Sequence, residues 1–127
     1  MRVIIAGGRT LDASAVLARL PEMVRRLQAL SAEAEPITEI ISGGCRGADA
    51  AGEQYARRCG IPLTIIRPDW VKHGRAAGPI RNAEMVRRSD ALIVCWDGTS
   101  RGGADILRQA TAAGLAIVDY RVGVHPR

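Results

Sequence analysis

Five short apolar runs, separated by stretches of helical character, constrain this chain more than any other feature of its sequence. They are Val3–Ala6, Ile37–Ile41, Leu63–Ile66, Ala91–Cys95 and Ala116–Tyr120, mostly β-branched residues and Leu bounded by Gly, Pro, Asp or Ser. Continuous runs of this length mark strands that are covered on both faces. The intervening segments carry the period of amphipathic helices. Leu17, Leu20, Met23, Val24, Leu27 and Leu30 recur at three- and four-residue spacings within Leu11–Leu30, where Asp12 or Ser14 can cap the start. Pro21 falls inside this run and predicts a kink or two shorter helices. Ala48–Cys59, Asn82–Arg88 and Gly103–Ala113 predict three further helices, with Gly60 and Gly114 as stops. Strand and helix thus alternate from end to end, which predicts an α/β fold with a mainly parallel five-stranded sheet and helices on both faces.

Residues 1–127 read as a single domain with a loose tail at Gly123–Arg127. The chain is 47% hydrophobic but only 3% aromatic, with no Phe, so its core has to be packed from Ala, Val, Ile and Leu. No apolar stretch approaches the roughly 20 residues of a membrane span, and no signal-peptide pattern opens the chain. Cys45, Cys59 and Cys95 stand at unrelated spacings, which gives no zinc motif and reads as reduced thiols in a cytoplasmic protein.

The net charge of +5 is almost wholly arginine, since Lys72 is the only lysine. Arg9, Arg46, Arg75, Arg81 and Arg101 fall in or beside loops, whereas Arg25–Arg26, Arg57–Arg58 and Arg87–Arg88 read as solvated helix faces. In an open parallel sheet, ligands bind beyond the carboxyl ends of the strands, where strand order reverses. Three loops at that edge are rich in glycine. They are Gly7-Gly8-Arg9-Thr10, Ser42-Gly43-Gly44-Cys45-Arg46-Gly47-Ala48-Asp49 and Asp97-Gly98-Thr99-Ser100-Arg101-Gly102-Gly103. Glycine lets a ligand approach backbone N–H groups, and the following helix N-terminus favours an anion, so together they read as a phosphate cradle. Neither the GxxxxGK[ST] loop nor a GxGxxG fingerprint is present.

A fourth segment, Gly78-Pro79-Ile80-Arg81-Asn82-Ala83-Glu84-Met85, places Arg81 at an expected helix N-terminus, where a cation is justified by an anion or carboxylate. Asn82 is a candidate cap, or a partner for a base or ribose, and Glu84 a candidate acid/base group. Asp49 and Asp105 fall in first helical turns, where capping is their plain role, and Asp97 is placed to meet a ribose hydroxyl or a metal-bound water. Trp70 and Trp96 are candidate base-stacking residues, although Trp96 follows an apolar strand and fits the core or rim better. The long connection Pro68–Gly78 reads as an ordered lid or rim.

These motifs resemble the SLOG superfamily, which joins the DNA-processing protein DprA/Smf to the LOG phosphoribohydrolases, and within it the small stand-alone YspA/YpsA-like bacterial members. The likeness runs from Val3 to about Val118. It implies a Rossmann-like three-layer fold and a nucleotide or nucleotide-derived ligand, with Gly43, Gly44, Gly47 and Asp49 in an SGGxxGxD phosphate-binding motif. It also implies that Arg81 matches the arginine LOG enzymes pair with a glutamate of a PGGxGTxxE loop. Here that loop has no proline and offers Asp105 instead, which favours binding over turnover. Two functions follow. One is a nucleotide-binding or sensing module; the other is a nucleoside 5′-monophosphate N-glycosidase using Arg81 with Asp105, Glu84 or Asp97. Single-stranded DNA binding ranks third, because the chain has no lysine stripe or interleaved aromatics. A homodimer is the expected assembly, through Leu11–Leu30 or Ala104–Ala113. No cofactor beyond the nucleotide is specified, and whether Mg²⁺ accompanies the phosphate is left open.

Overall fold

A computed structural model describes residues 1–122. The expected tail, Gly123–Arg127, lies outside the described residues. The elements are β1 (Arg2–Gly7), α1 (Ala13–Gln28), β2 (Glu39–Ser42), α2 (Ala48–Cys59), β3 (Leu63–Ile65), α3 (Trp70–His73), a 3₁₀ turn (Gly74–Ala76), α4 (Ala77–Arg87), β4 (Ala91–Trp96), α5 (Arg101–Ala112) and β5 (Ala116–Arg121). All five strands are parallel, in the order β3-β2-β1-β4-β5. This is a Rossmann-like three-layer α/β fold. The chain builds leftward from β1 to β3 and then crosses back to place β4 on the other side of β1. Strand order therefore reverses between β1 and β4, which pair from Val3↔Ala91 to Gly7↔Cys95.

Alternation along β1 sorts its side chains between two cores. Val3 and Ile5 face the layer of α1 and α2, and Ile4 and Ala6 face that of α4 and α5. Every residue of β4 is buried, which is why its sequence shows no polar alternation. Gly52 of α2 sits so close over β1 that a Cβ there would come within 2.7 Å of Ile5 Cβ. Gly103 of α5 does the same over Trp96, at 2.5 Å from the indole. Small residues at these crossings draw each helix tightly onto the sheet.

Pro21 does not divide the first helix: α1 is continuous, capped by Asp12, whose side chain accepts from Ser14 N–H at 3.0 Å. The ring removes one backbone hydrogen bond at an exposed position, a cost of about 3 kcal/mol. The buried stripe Val16, Leu17, Leu20, Met23, Val24 and Leu27 offsets it at about 1.5–3 kcal/mol per large side chain. That stripe is committed to the core rather than to a partner.

The second correction bears on the site. The helix expected at Asn82–Arg88 begins at Ala77, five residues earlier, and the connection before it is helical from Trp70 onward. Pro79 stands in the first turn of α4, where backbone N–H groups have no intrahelical acceptor, so proline is accommodated there rather than ending anything. Arg81 and Asn82 are therefore inside the helix and not at its cap.

Candidate functional site

A cleft of about 580 Å³ opens at the carboxyl ends of β1 and β4, where strand order reverses. Its floor is the end of β1 and the loop beyond it, Ala6 to Arg9. Cys45 and Asp49 form one side; α4 contributes Gly78, Pro79, Arg81, Asn82 and Met85; the start of α5 contributes Ser100, Arg101, Gly102, Asp105 and Ile106. Trp70 and Arg75 stand at the mouth.

The floor is fixed by close backbone packing. Gly7 has φ +148, and a Cβ there would overlap the carbonyl oxygen of Cys95. Gly8 N–H donates to that same carbonyl at 2.9 Å. The Gly8 carbonyl in turn accepts from Ala48 N–H at 3.2 Å, and Gly47 (φ +70) is pressed so close that a Cβ would collide with it. Gly47 and Ala48, read from sequence as ligand-holding, instead join the second loop to the first. Ser42 is likewise turned inward, donating to Glu53 Oε2 at 2.7 Å while its oxygen accepts from Gly44 N–H at 3.1 Å. Gly44 carbonyl is taken by Arg67 at 3.2 Å, and Arg46 is exposed and outside the cleft lining.

Gly43 carries the link across the cleft: its carbonyl accepts from Arg81 Nη1. Arg81 Nε donates to Asn82 Oδ1 at 2.9 Å, and Asn82 Nδ2 donates to Asp105 Oδ2 at 2.9 Å. Asp105 Oδ2 also accepts from Gln109 at 2.8 Å, and Oδ1 accepts from Arg108 at 2.8 Å. A chain of polar contacts thus runs from the second glycine loop through α4 to α5. Asn82, buried to 5% exposure, spends both ends of its amide on this chain, so its role is to position Arg81 against Asp105.

Two carboxylates face the cleft with opposite electrostatics. Burial pushes Asp49 up from its ordinary range, against the pull of the Cys45 N–H bond (3.1 Å) and the Arg81 charge. Burial also pushes Asp105 upward, but donors from Asn82, Gln109 and Arg108 together outweigh it and hold the carboxyl below its ordinary range. Neither aspartate caps its helix: the N-cap positions are Gly47 for α2 and Ser100 for α5, and neither helix has a side-chain cap bond.

Asp97, Gly98 and Thr99 lie outside the cleft lining. Asp97 bends back on its own loop, accepting from Thr99 and Ser100 N–H at 2.8 and 2.9 Å, and those two N–H groups lower its pKa. Its carboxylate thus shapes its own loop, outside the cleft lining. Gly103, also outside the lining, packs on Trp96, whose indole N–H donates to Asp119 at 2.7 Å while Arg121 lies 5.0 Å over its ring. Glu84 sits on the far side of α4, pairing with Arg88 at 3.7 Å, so the structure takes it out of the candidate acid/base set.

Of the residues expected from sequence, the structure brings together Gly7, Gly8, Arg9, Asp49, Arg81, Asn82, Ser100, Gly102 and Asp105. It also brings in Trp70, one of the two stacking candidates, and adds Cys45, Arg75, Pro79, Met85 and Arg101. The loop arginines were a visible signal for Arg75 and Arg101, and Pro79 and Met85 belong to the fourth segment singled out in the sequence. The lining carries four arginines (Arg9, Arg75, Arg81 and Arg101) against two aspartates, and Asp105 is already paired with Arg108. Among the described residues, Arg9, Arg75 and Arg101 form no ion pair.

Such an arrangement, a Rossmann-like sheet with a cationic cleft at the point of strand reversal, is suited to an anionic ligand. The chain belongs to the YspA, cpYpsA-related SLOG family (YAcAr), whose model matches residues 1–73. It is 36% identical over 87 residues to the Gene 61 protein of Mycobacterium phage D29, an alignment covering 64% of this chain and 70% of that protein. No solved structure matches it significantly. No described helix is long and apolar enough to cross a membrane.

Proposed function

We propose that this protein binds a phosphate-bearing, nucleotide-like ligand in the cleft, as a binding or sensing module. The observation that carries the reading is the excess of arginine over carboxylate in a preformed cleft at the sheet's switch point. SLOG family membership supports it. Arg81 is the inner counter-charge, held in place by Gly43 and Asn82, and Arg9, Arg75 and Arg101 supply the outer positive field. Backbone N–H groups in the first turn of α5, at Arg101 and Gly102, favour the same anion.

A second reading rests on Asp49. It is a buried carboxyl (4% exposed) with a raised pKa, adjoining Arg81 in the same cleft. In a nucleoside 5′-monophosphate N-glycosidase such a group could take a proton from water as the oxygen adds to C1′ and the base leaves with the glycosidic electron pair. Asp105 suits that task poorly, because three donors already occupy its two oxygens. Binding therefore stands ahead of hydrolysis.

One experiment separates the readings. A thermal-shift screen against nucleoside mono-, di- and triphosphates, NAD, ADP-ribose and cyclic dinucleotides is followed by chromatography of each hit for free base. Stabilisation without base release is the expected result. Release of base that is lost in Asp49→Asn selects the hydrolase, and no shift with any ligand at millimolar concentration removes both.

A further inference from the structure

We infer that Trp70 is the base-stacking platform of this cleft, so that its ligand carries an aromatic base and is not a simple sugar phosphate or inorganic anion. The inference rests on the anion-binding reading above and adds what lies at the other end of the ligand. The two tryptophans differ in situation. Trp96 is 4% exposed, covered by α5, and its indole N–H is bonded to Asp119. Trp70 is 57% exposed, although it lines the cleft mouth.

The residue is fixed at the cleft mouth while more than half of its surface stays open to solvent. Trp70 opens α3, a four-residue turn capped by Asp69, whose carboxylate accepts from Lys72 N–H at 3.0 Å. The far edge of the indole lies over Gly78 at the start of α4, where a Cβ would stand 3.8 Å from Cη2. At that distance a side chain at Gly78 would only touch the ring edge, so the indole lies beside the first turn of the helix that carries Arg81. Among the described residues the indole N–H has no hydrogen-bond partner, unlike that of Trp96. An indole has an apolar area of about 150–250 Å² to bury, and stacking a base buries it without requiring any particular hydrogen bond.

Position adds to this. Trp70 shares the cleft with Arg75 and Arg81, so a ligand whose phosphate meets arginine has an aromatic face available at the mouth. Elsewhere in the cleft lining the large apolar side chains are Met85 of α4 and Ile106 of α5, both almost wholly buried. A flat, π-bearing group therefore finds its surface on Trp70. Because stacking grows with ring area, purines should bind more tightly than pyrimidines.

The test is calorimetric titration of adenosine 5′-monophosphate, uridine 5′-monophosphate and ribose 5-phosphate into the wild type, Trp70→Ala and Trp70→Phe. Melting curves establish that the variants are folded, and tryptophan fluorescence is read in parallel. Expected are tighter binding of the adenosine than the uridine nucleotide, and a loss of about 10-fold or more for the adenosine nucleotide in Trp70→Ala. Recovery of most of that loss in Trp70→Phe, unchanged ribose 5-phosphate affinity, and nucleotide quenching of wild-type emission complete the expectation. Equal weakening of nucleotide and sugar phosphate overturns the inference by making Trp70 a structural support of α4. Unchanged nucleotide affinity in Trp70→Ala also overturns it, as does a change of oligomeric state alone, which would assign Trp70 and the neighbouring exposed Val71 to an interface between copies. Ribose 5-phosphate binding with no gain from a base sinks stacking while the anion site stands; failure of all three ligands sinks both.

Discussion

Along the glycine loops, polar groups bond chiefly to one another; around the rim of the cleft, arginines extend into solvent with no ion-pair partner among the described residues. Ser42 meets Glu53, Gly8 carbonyl meets Ala48 N–H, and Asp49 meets Cys45 N–H. Arg9, Arg75 and Arg101 have no such partners. Glycine-rich segments here chiefly set the shape of the floor, by allowing loops to approach one another, and arginines supply the charge. Shape and charge are thus carried by separate sets of residues, and substitutions should separate along the same line.

The largest effect should come from the floor. Gly7→Ala puts a Cβ into the Cys95 carbonyl at a positive φ, and should cost more than about 3 kcal/mol of stability by chemical denaturation. A tolerated alanine would break the comparison at its strongest point. Arg81 belongs to both sets, and Arg81→Met should lower affinity for the nucleotide returned by screening by about 10- to 100-fold. Asn82→Ala leaves Arg81 and Asp105 unconnected and should cost about 1–2 kcal/mol in urea melts while also weakening binding.

Asp49 sharpens the comparison through pH. Its folded pKa lies above its unfolded value, so the folded chain binds more protons between the two and stability falls as pH rises through that window. Asp49→Asn should flatten this limb of the stability profile, which opens at the ordinary carboxylate pKa and runs upward from it. The limb due to Asp97 and Asp105, whose pKa values are lowered, should remain: their contribution is lost as pH falls below the unfolded carboxylate range. The smallest effect is expected at the rim. Arg101→Ala should leave stability within about 0.5 kcal/mol and reduce affinity only severalfold, with a shallower salt dependence by titration at two ionic strengths.

The strands and their parallel arrangement were legible because β1, β2 and β4 are buried on both faces and leave unbroken apolar runs, whereas their spatial order came only with the structure. The sheet edge that carries the candidate cleft was legible too, since the glycine-rich loops follow the strands at their carboxyl ends. Individual roles were less so. Gly47 and Gly103 carry the composition of a phosphate loop, but whether a bare Cα faces a ligand or a neighbouring loop depends on packing that only the folded chain supplies. Pro79 misled in the same way. A proline reads as a break before a helix, and inside the first turn it breaks nothing, so the helix start and Arg81's place in it were misread. Pro21 shows the converse, a proline overridden by an apolar stripe too large to abandon.

The pairing of β1 with β4 has a consequence for how the molecule comes into being. The strand that opens the chain lies at the middle of the sheet, and its partner on one side arrives far later, as the Arg2 N–H bond to Asp90, 88 positions away, illustrates. Until that pairing closes, the Gly8 anchor on Cys95 is absent and the floor of the cleft does not exist. Contacts of such long sequence separation form slowly. During synthesis or refolding, ligand capture should therefore be among the last properties to appear, after helix content and most of the collapse are already in place.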